Sequence, residues 1–121
     1  MAEEKLRIYE DDIRVRIYVS EKAKLGGIPL YEAIVLKARD LGLAGATVIR
    51  GIMGFGADKR MHSSKILELS ENLPILVEIV DVEENIEKFI PYLDATVTDG
   101  FVTMEKVHVI KYRHRERHAS E

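Results

Sequence analysis

Between Ile13 and Val19 apolar and polar side chains alternate: Ile13, Val15, Ile17 and Val19 fall on one side, Arg14, Arg16 and Tyr18 on the other. A two-residue period is that of a strand with one buried face, so a first strand is predicted here. The period then lengthens. After a turn-rich stretch holding Gly26 and Gly27, Pro29 suits the first position of a helix, and Leu30, Ile34, Ala38 and Leu41 recur at helical spacing, with Gly42 as the stop. Ala46-Thr47-Val48-Ile49-Arg50-Gly51-Ile52-Met53 is β-branched, short and bounded by glycine, which predicts a second strand. Leu73-Pro74-Ile75-Leu76-Val77-Glu78-Ile79-Val80 predicts a third, with its proline at the entrance, where a missing N–H costs least. Its apolar density suggests a central place in the sheet.

Asp81 followed by Glu84 resembles a capping box, and Ile86, Phe89, Ile90 and Leu93 then mark one face of a second helix. Pro91 predicts a kink or an early end, because an interior proline removes a hydrogen bond and crowds the preceding turn. Asp99-Gly100 is a turn signal, and 101–112 reads as one long final strand carrying Val102, Val107, Val109 and Ile110. The polar remainder is expected to fray or to dock on another subunit. The order β-α-β-β-α-β fits an α+β, ferredoxin-like sandwich: an antiparallel sheet with two helices on one face. The other face has no cover, so sheet-to-sheet packing between subunits and a homo-oligomer are expected.

Composition narrows the classes. A chain of 121 residues, 46% apolar, fills one core, so a single domain over 1–121 is expected, with 1–12 and 113–121 as flexible termini. Charged residues reach 32% but the net charge is only -3, which argues against nucleic acid as the partner. Without cysteine there is no disulfide and no thiolate metal site, and a reduced intracellular setting fits. The charged residues of 1–12 do not make a signal peptide, and no stretch approaches the roughly 18 apolar residues of a membrane span, so a soluble, cytoplasmic protein is expected. Glutamine and tryptophan are absent, and asparagine occurs only at Asn72 and Asn85, a balance that points to a thermophilic source.

The chemistry concentrates after the second strand. The connection 54–72 is far longer than the usual few residues, and long connections are functional or disordered. Arg50-Gly51 and Gly54-Phe55-Gly56 stand at its entrance. Glycines let backbone N–H groups converge and a ligand come close, while Arg50, Lys59 and Arg60 can make charge-assisted bonds to phosphate. The same residues also fit a plain reading, in which the glycines turn a hairpin and the basic side chains coat a solvated loop. Neither the dinucleotide fingerprint nor the Walker lysine pattern is present. Phe55 could stack on a base, although Ile52 and Met53 before it favour a place in the core.

The run Arg50-Gly51-Ile52-Met53-Gly54-Phe55-Gly56 resembles the signature of a little-characterised prokaryotic family classed as PII-like. The resemblance extends from the first strand to Tyr112 and takes in Gly45-Ala46-Thr47-Val48, His62 and Leu73-Pro74. It implies the PII plan: a trimer with three clefts between subunits, each holding an adenine nucleotide, and a long loop that reports occupancy to a protein partner, a membrane transporter among the candidates. By position it implies that Gly54 and Gly56 offer amides to phosphate, that Asp99-Gly100 ends a second ligand loop, and that Lys111 and Arg113 are basic residues on the last strand. With Arg50, the residues Gly51, Phe55, Lys59, Arg60 and His62 complete the expected ligand-binding set. Two departures matter. Phe101 stands where PII proteins carry a lysine, so AMP, ADP or a cyclic dinucleotide enters beside ATP as the ligand. The segment 54–72 has neither tyrosine nor glutamine, so no 2-oxoglutarate sensing is expected, and no cofactor is required.

Two other classes have residues in their favour. His62, Asp58 and Asp99 are the acid-base candidates for a weak nucleotide hydrolase, but no nucleophile-base-orienter set can be assembled from spacing, so a non-enzyme is expected. His108, His114 and His118 suggest a metal-binding trimer of the copper-tolerance type; the arginines around His114 and His118 disfavour a cation and favour a solvated tail. That tail is too short and too poor in aromatics to point to nucleic acid or lipid.

Overall fold

The computed structural model describes residues 3–7, 10–65 and 72–116. In chain order the elements are β1 (Glu3–Arg7), β2 (Glu10–Ser20), β3 (Lys24–Leu25), β4 (Ile28–Pro29), α1 (Leu30–Asp40), β5 (Thr47–Arg50), β6 (Met53–Gly54), β7 (His62–Ser63), β8 (Pro74–Asp81), α2 (Glu83–Thr96), β9 (Gly100–Val109) and β10 (Tyr112–Glu116). Four of them form an antiparallel sheet in the order β5-β8-β2-β9. With both helices on one side, this is the ferredoxin-like architecture expected from the periodicity, and β8 lies inside the sheet as its apolar density requires.

Alternation decides which side is the core. Ile13, Val15, Ile17 and Val19 of β2 and Ile75, Val77 and Ile79 of β8 are buried, packed with Leu30, Ile34 and Ala38 of α1 and Ile86, Phe89 and Leu93 of α2. Each such large apolar side chain contributes about 1.5–3 kcal/mol on leaving water. Among the described residues no helix covers the opposite face of the sheet. There Ile49, Leu76, Tyr18 and Phe101 stand in one register row across all four strands.

Local expectations are corrected at four places. Asp81 is not the cap of a capping box: α2 begins after Val82 with no side-chain cap. Its buried carboxylate instead accepts the Val82 N–H at 2.7 Å, Asn85 Nδ2 at 3.2 Å and the Ala44 N–H at 2.8 Å, so it ties the start of α2 to the connection before β5. Pro91 does not end its helix, which runs on to Thr96; the ring points to solvent and the apolar stripe beneath it holds the turn against the sheet. The second strand is shorter than 46–53, stopping at Arg50. The final strand is not continuous over 101–112 either: β9 ends at Val109, and Tyr112–Glu116 pairs with Glu3–Arg7 as a separate antiparallel ribbon. This ribbon is built from the two segments expected as termini, of which 1–2, 8–9 and 117–121 lie outside the described residues. Among the described residues no helix is long and apolar enough to cross a membrane.

Candidate functional site

Where β5 ends, the Arg50 guanidinium makes a two-pronged bond with Glu21: Nε to Oε2 at 2.8 Å and Nη2 to Oε1 at 3.1 Å. Glu21 stands just past β2, and its Oε1 also accepts the Leu73 N–H at 3.2 Å, while its own N–H donates to the Leu73 carbonyl at 3.1 Å. Asn72 Oδ1 accepts the Lys22 N–H at 3.3 Å and the Ser20 hydroxyl. The residues that enter and leave the long connection are therefore fastened to one turn, 20–22. Burial pushes the Glu21 carboxyl up, but its bonds from Arg50 and Leu73 and the arginine's charge outweigh this and hold it below the ordinary value.

The glycines divide by cause. A Cβ on Gly51 would lie 2.8 Å from Pro74 Cγ, and one on Gly54 would lie 3.1 Å from the same atom. Both are glycine because the Pro74 ring packs against them, and the Gly51 N–H is already spent on the Pro74 carbonyl at 2.7 Å. Only Gly56 of this group has open space around it. It opens a turn closed by the Lys59 N–H on the Gly56 carbonyl at 3.0 Å, with Lys59 at φ 63. Lys59 Nζ lies 5.6 Å over the Phe55 ring, which is 59% exposed, so Phe55 is not the core residue its neighbours suggested. Asp58 Oδ1 accepts the Arg60 N–H at 2.9 Å. The short hairpin of β6 and β7 sets Gly54 opposite His62. His62 is half-buried, and its Nδ1 is shielded from water with no hydrogen-bond partner.

The remaining predicted residues lie elsewhere. Gly100 pairs with Val19 and Arg50 with Ile75, which in turn pairs with Val19. Asp99-Gly100 and Arg50-Gly51 therefore share one end of the sheet but occupy opposite edges, three strand spacings or about 14 Å apart. Gly100 is required by close approach, since a Cβ would fall 2.3 Å from the Tyr18 carbonyl oxygen. Lys111 follows the far end of β9, about 30 Å along the strand from Gly100, and is exposed. Arg113 pairs with Leu6 in the terminal ribbon. The chain thus gathers Arg50, Gly51, Gly54, Phe55, Gly56, Lys59, Arg60 and His62 at one corner, and leaves Asp99-Gly100 and Lys111 at two others.

The acid-base candidates are not assembled, since Asp58 and His62 belong to the β6–β7 corner and Asp99 to the far edge. Of the histidines weighed for metal, His108 Nδ1 lies 3.0 Å from Asp11 Oδ1, the His114 side chain and His118 fall outside the described residues, and among the described residues no three metal-ligating side chains cluster. Sequence reasoning missed three features. Glu21 gives no local signal and Pro74 signals only the entrance of its strand, because the roles of both exist only once β5 and β8 are paired. A cleft of about 310 Å³ lined by Ala44, Gly45, Ala46, Thr47, Glu78, Val80 and Tyr112 was foreshadowed only by the small residues before β5.

Residues 12–109 match the DUF190 family, described as uncharacterized ACR. The chain is 38% identical over 96 residues to a UPF0166 protein of Aquifex aeolicus, covering 79% of this chain and 90% of that one. It is 36% identical over 98 residues to the UPF0166 protein of Methanocaldococcus jannaschii, covering 80% and 90%. Among solved structures, a PII-like signalling protein of Thermus thermophilus superposes with a TM-score of 0.63 at 17% identity, over 86% of this chain and 94% of that one. CPII of Thiomonas intermedia, described as a nitrogen regulatory PII-like protein bound to ADP, AMP and bicarbonate, gives 0.57 at 19% identity, over 87% and 91%. At such identities the likeness is one of fold.

Proposed function

The chain belongs to the DUF190 family, and on that premise we propose that it is a PII-like regulator that binds a phosphate-bearing small ligand, an adenine nucleotide, in clefts between the subunits of a homotrimer. The observation that carries this reading is the split of the site. Arg50 and the open Gly56 turn lie at one edge of the sheet, and Asp99-Gly100 lies at the same end of the other edge. The two halves meet only when the β5 edge of one protomer faces the β9 edge of the next. Phosphate would then lie between a guanidinium, the lysine and arginine of the turn, and backbone amides, the donor chemistry that suits it. The Thiomonas protein of the same fold, described as bound to ADP and AMP, supports an adenine nucleotide as the class of ligand.

Lys111 and Arg113 enter this reading only from a neighbouring protomer, because within one chain they are a sheet length away. The connection after Met53 carries the response: a ligand that binds one arrangement of its base better than another shifts the population of that arrangement, and a partner in the cytoplasm reads it. No catalytic step is assigned. Titration calorimetry with AMP, ADP, ATP and cyclic di-AMP tests the proposal, with heat expected from at least one. Absence of heat from all four sinks it.

A further inference from the structure

Arg50, the cation best placed to meet a phosphate, already holds an anion. Both prongs of the Glu21 bond take one edge of its guanidinium, at 2.8 and 3.1 Å, in the planar geometry that guanidinium uses for carboxylate and phosphate alike. Glu21 is half-buried, with 23% of its side chain exposed, and the same carboxylate accepts the Leu73 N–H. One residue thus stands in a phosphate's place at the entry of the long connection while it fastens the exit.

Resting on the nucleotide reading above, we propose that Glu21 is an internal competitor: a nucleotide phosphate binds at Arg50 by displacing this carboxylate, and the Leu73 amide registers the exchange. The competition sets the affinity. An anion with a single weak charge does not dislodge a carboxylate held by two bonds, whereas a phosphate dianion, with more charge and three oxygens, does. Glu21 therefore acts as a specificity-determining residue for the charge of the ligand, and it keeps the base of the connection in one arrangement until that ligand arrives.

The test is a double-mutant cycle on the full chain, read by calorimetry with ADP as the probe. Glu21→Gln keeps the shape and the acceptor for Leu73 but removes the competing charge, and is expected to tighten ADP about tenfold, the effect of one charge-assisted hydrogen bond. Arg50→Met is expected to weaken ADP by a similar factor, and the double variant to bind no more tightly than Arg50→Met alone. In the wild type, the amide resonance of Leu73 is expected to shift as ADP saturates. Melting curves establish that each variant is folded.

Four outcomes overturn the proposal. Unchanged or weaker ADP binding by Glu21→Gln makes Glu21 a bystander or an orienter of Arg50, and an equal gain in the Arg50→Met background makes the effect one of general charge. A Leu73 resonance that stays still while ADP binds removes the coupling to the exit. ADP binding to none of the proteins overturns the exchange at Arg50, and when AMP, ATP and cyclic di-AMP leave the wild type silent as well, it is the nucleotide reading itself that fails.

Discussion

Pro74 accounts for Gly51 and Gly54 without any ligand, and the Tyr18 carbonyl accounts for Gly100 in the same way. At the corner of Gly51, Gly54 and Gly56, Gly56 is the one with no neighbour that demands it. Alanine at Gly100 is therefore expected to force β9 away from β2 and to cost about 1–3 kcal/mol, as overpacking does. Alanine at Gly56 should stay within about 0.5 kcal/mol of wild type. Urea unfolding of the two variants checks this pair, and equal losses would show that packing does not distinguish them. Acid gives a second prediction at this scale. Folding lowers the pKa of Glu21 from its ordinary value of 4.5, and that of Glu105, through its hydrogen bond and charge interaction with Arg14, likewise. A carboxyl depressed on folding contributes stability that is present above the unfolded pKa and disappears as pH falls through the folded one. Melting temperature is thus expected to fall below about pH 4.5, less steeply in Glu21→Gln than in the wild type. The glycines and basic residues at the corner were legible in the sequence because their types announce themselves. Their causes were not, since Pro74 meets Gly51, and Glu21 meets Arg50, only through strand pairing across long stretches of chain.

At the scale of elements, periodicity located β2, α1, β8 and α2 because each has one buried face, and burial enforces the pattern that a reader sees. It failed where a second force acts. β-branched residues recur from Thr47 to Ile52, yet strand pairing with β8 ends at Arg50; one further bond in the same register, from the Gly51 N–H to the Pro74 carbonyl, precedes the β6–β7 hairpin. Asp81 has the spacing of a capping box, but three donors, two from connections and one from α2, claim its carboxylate first. Pro91 shows the same override. Local rules end the helix there; the burial of Ile86, Phe89 and Leu93 carries it to Thr96. Since Pro91 is exposed and denies the helix one hydrogen bond, Pro91→Ala is expected to stabilise the protein by about 1–2 kcal/mol, the helix gain less the freedom returned to the unfolded chain. An upward shift of the urea midpoint with an unchanged slope would bear this out. A loss of stability would mean that the helix is bent at Pro91 in a way the core depends on.

The whole molecule is defined by the face that its helices leave bare. Ile49, Leu76, Tyr18 and Phe101 cross it as a single apolar row, with Tyr18 and Phe101 stacked at 4.4 Å between ring centroids and 16° between planes. The next register row is Thr47, Glu78, Arg16 and Thr103, in which Arg16 Nε meets Glu78 Oε2 at 3.0 Å; beyond it Arg14 pairs with Glu105. Charges already neutralised in pairs can be covered at less cost than lone ones, and the apolar row supplies the drive to cover them. A helix would need a hydrophobic stripe of its own to do so, whereas a second copy of this sheet brings the same two rows in matching chemistry. The face is therefore expected to be closed by other protomers, which would also set β5 and β9 edges of different chains side by side, as the split site requires. Phe101 is 57% exposed in the single chain, so Phe101→Glu should leave the monomer folded while placing a charge at the β9 end of the apolar row. Sedimentation equilibrium is expected to give a multiple of the 13.8 kDa chain mass for wild type and the chain mass for the variant, with matching circular dichroism. A wild type that sediments as a single chain would leave the row open to water and the two halves of the site apart, and the regulator reading would fall with it.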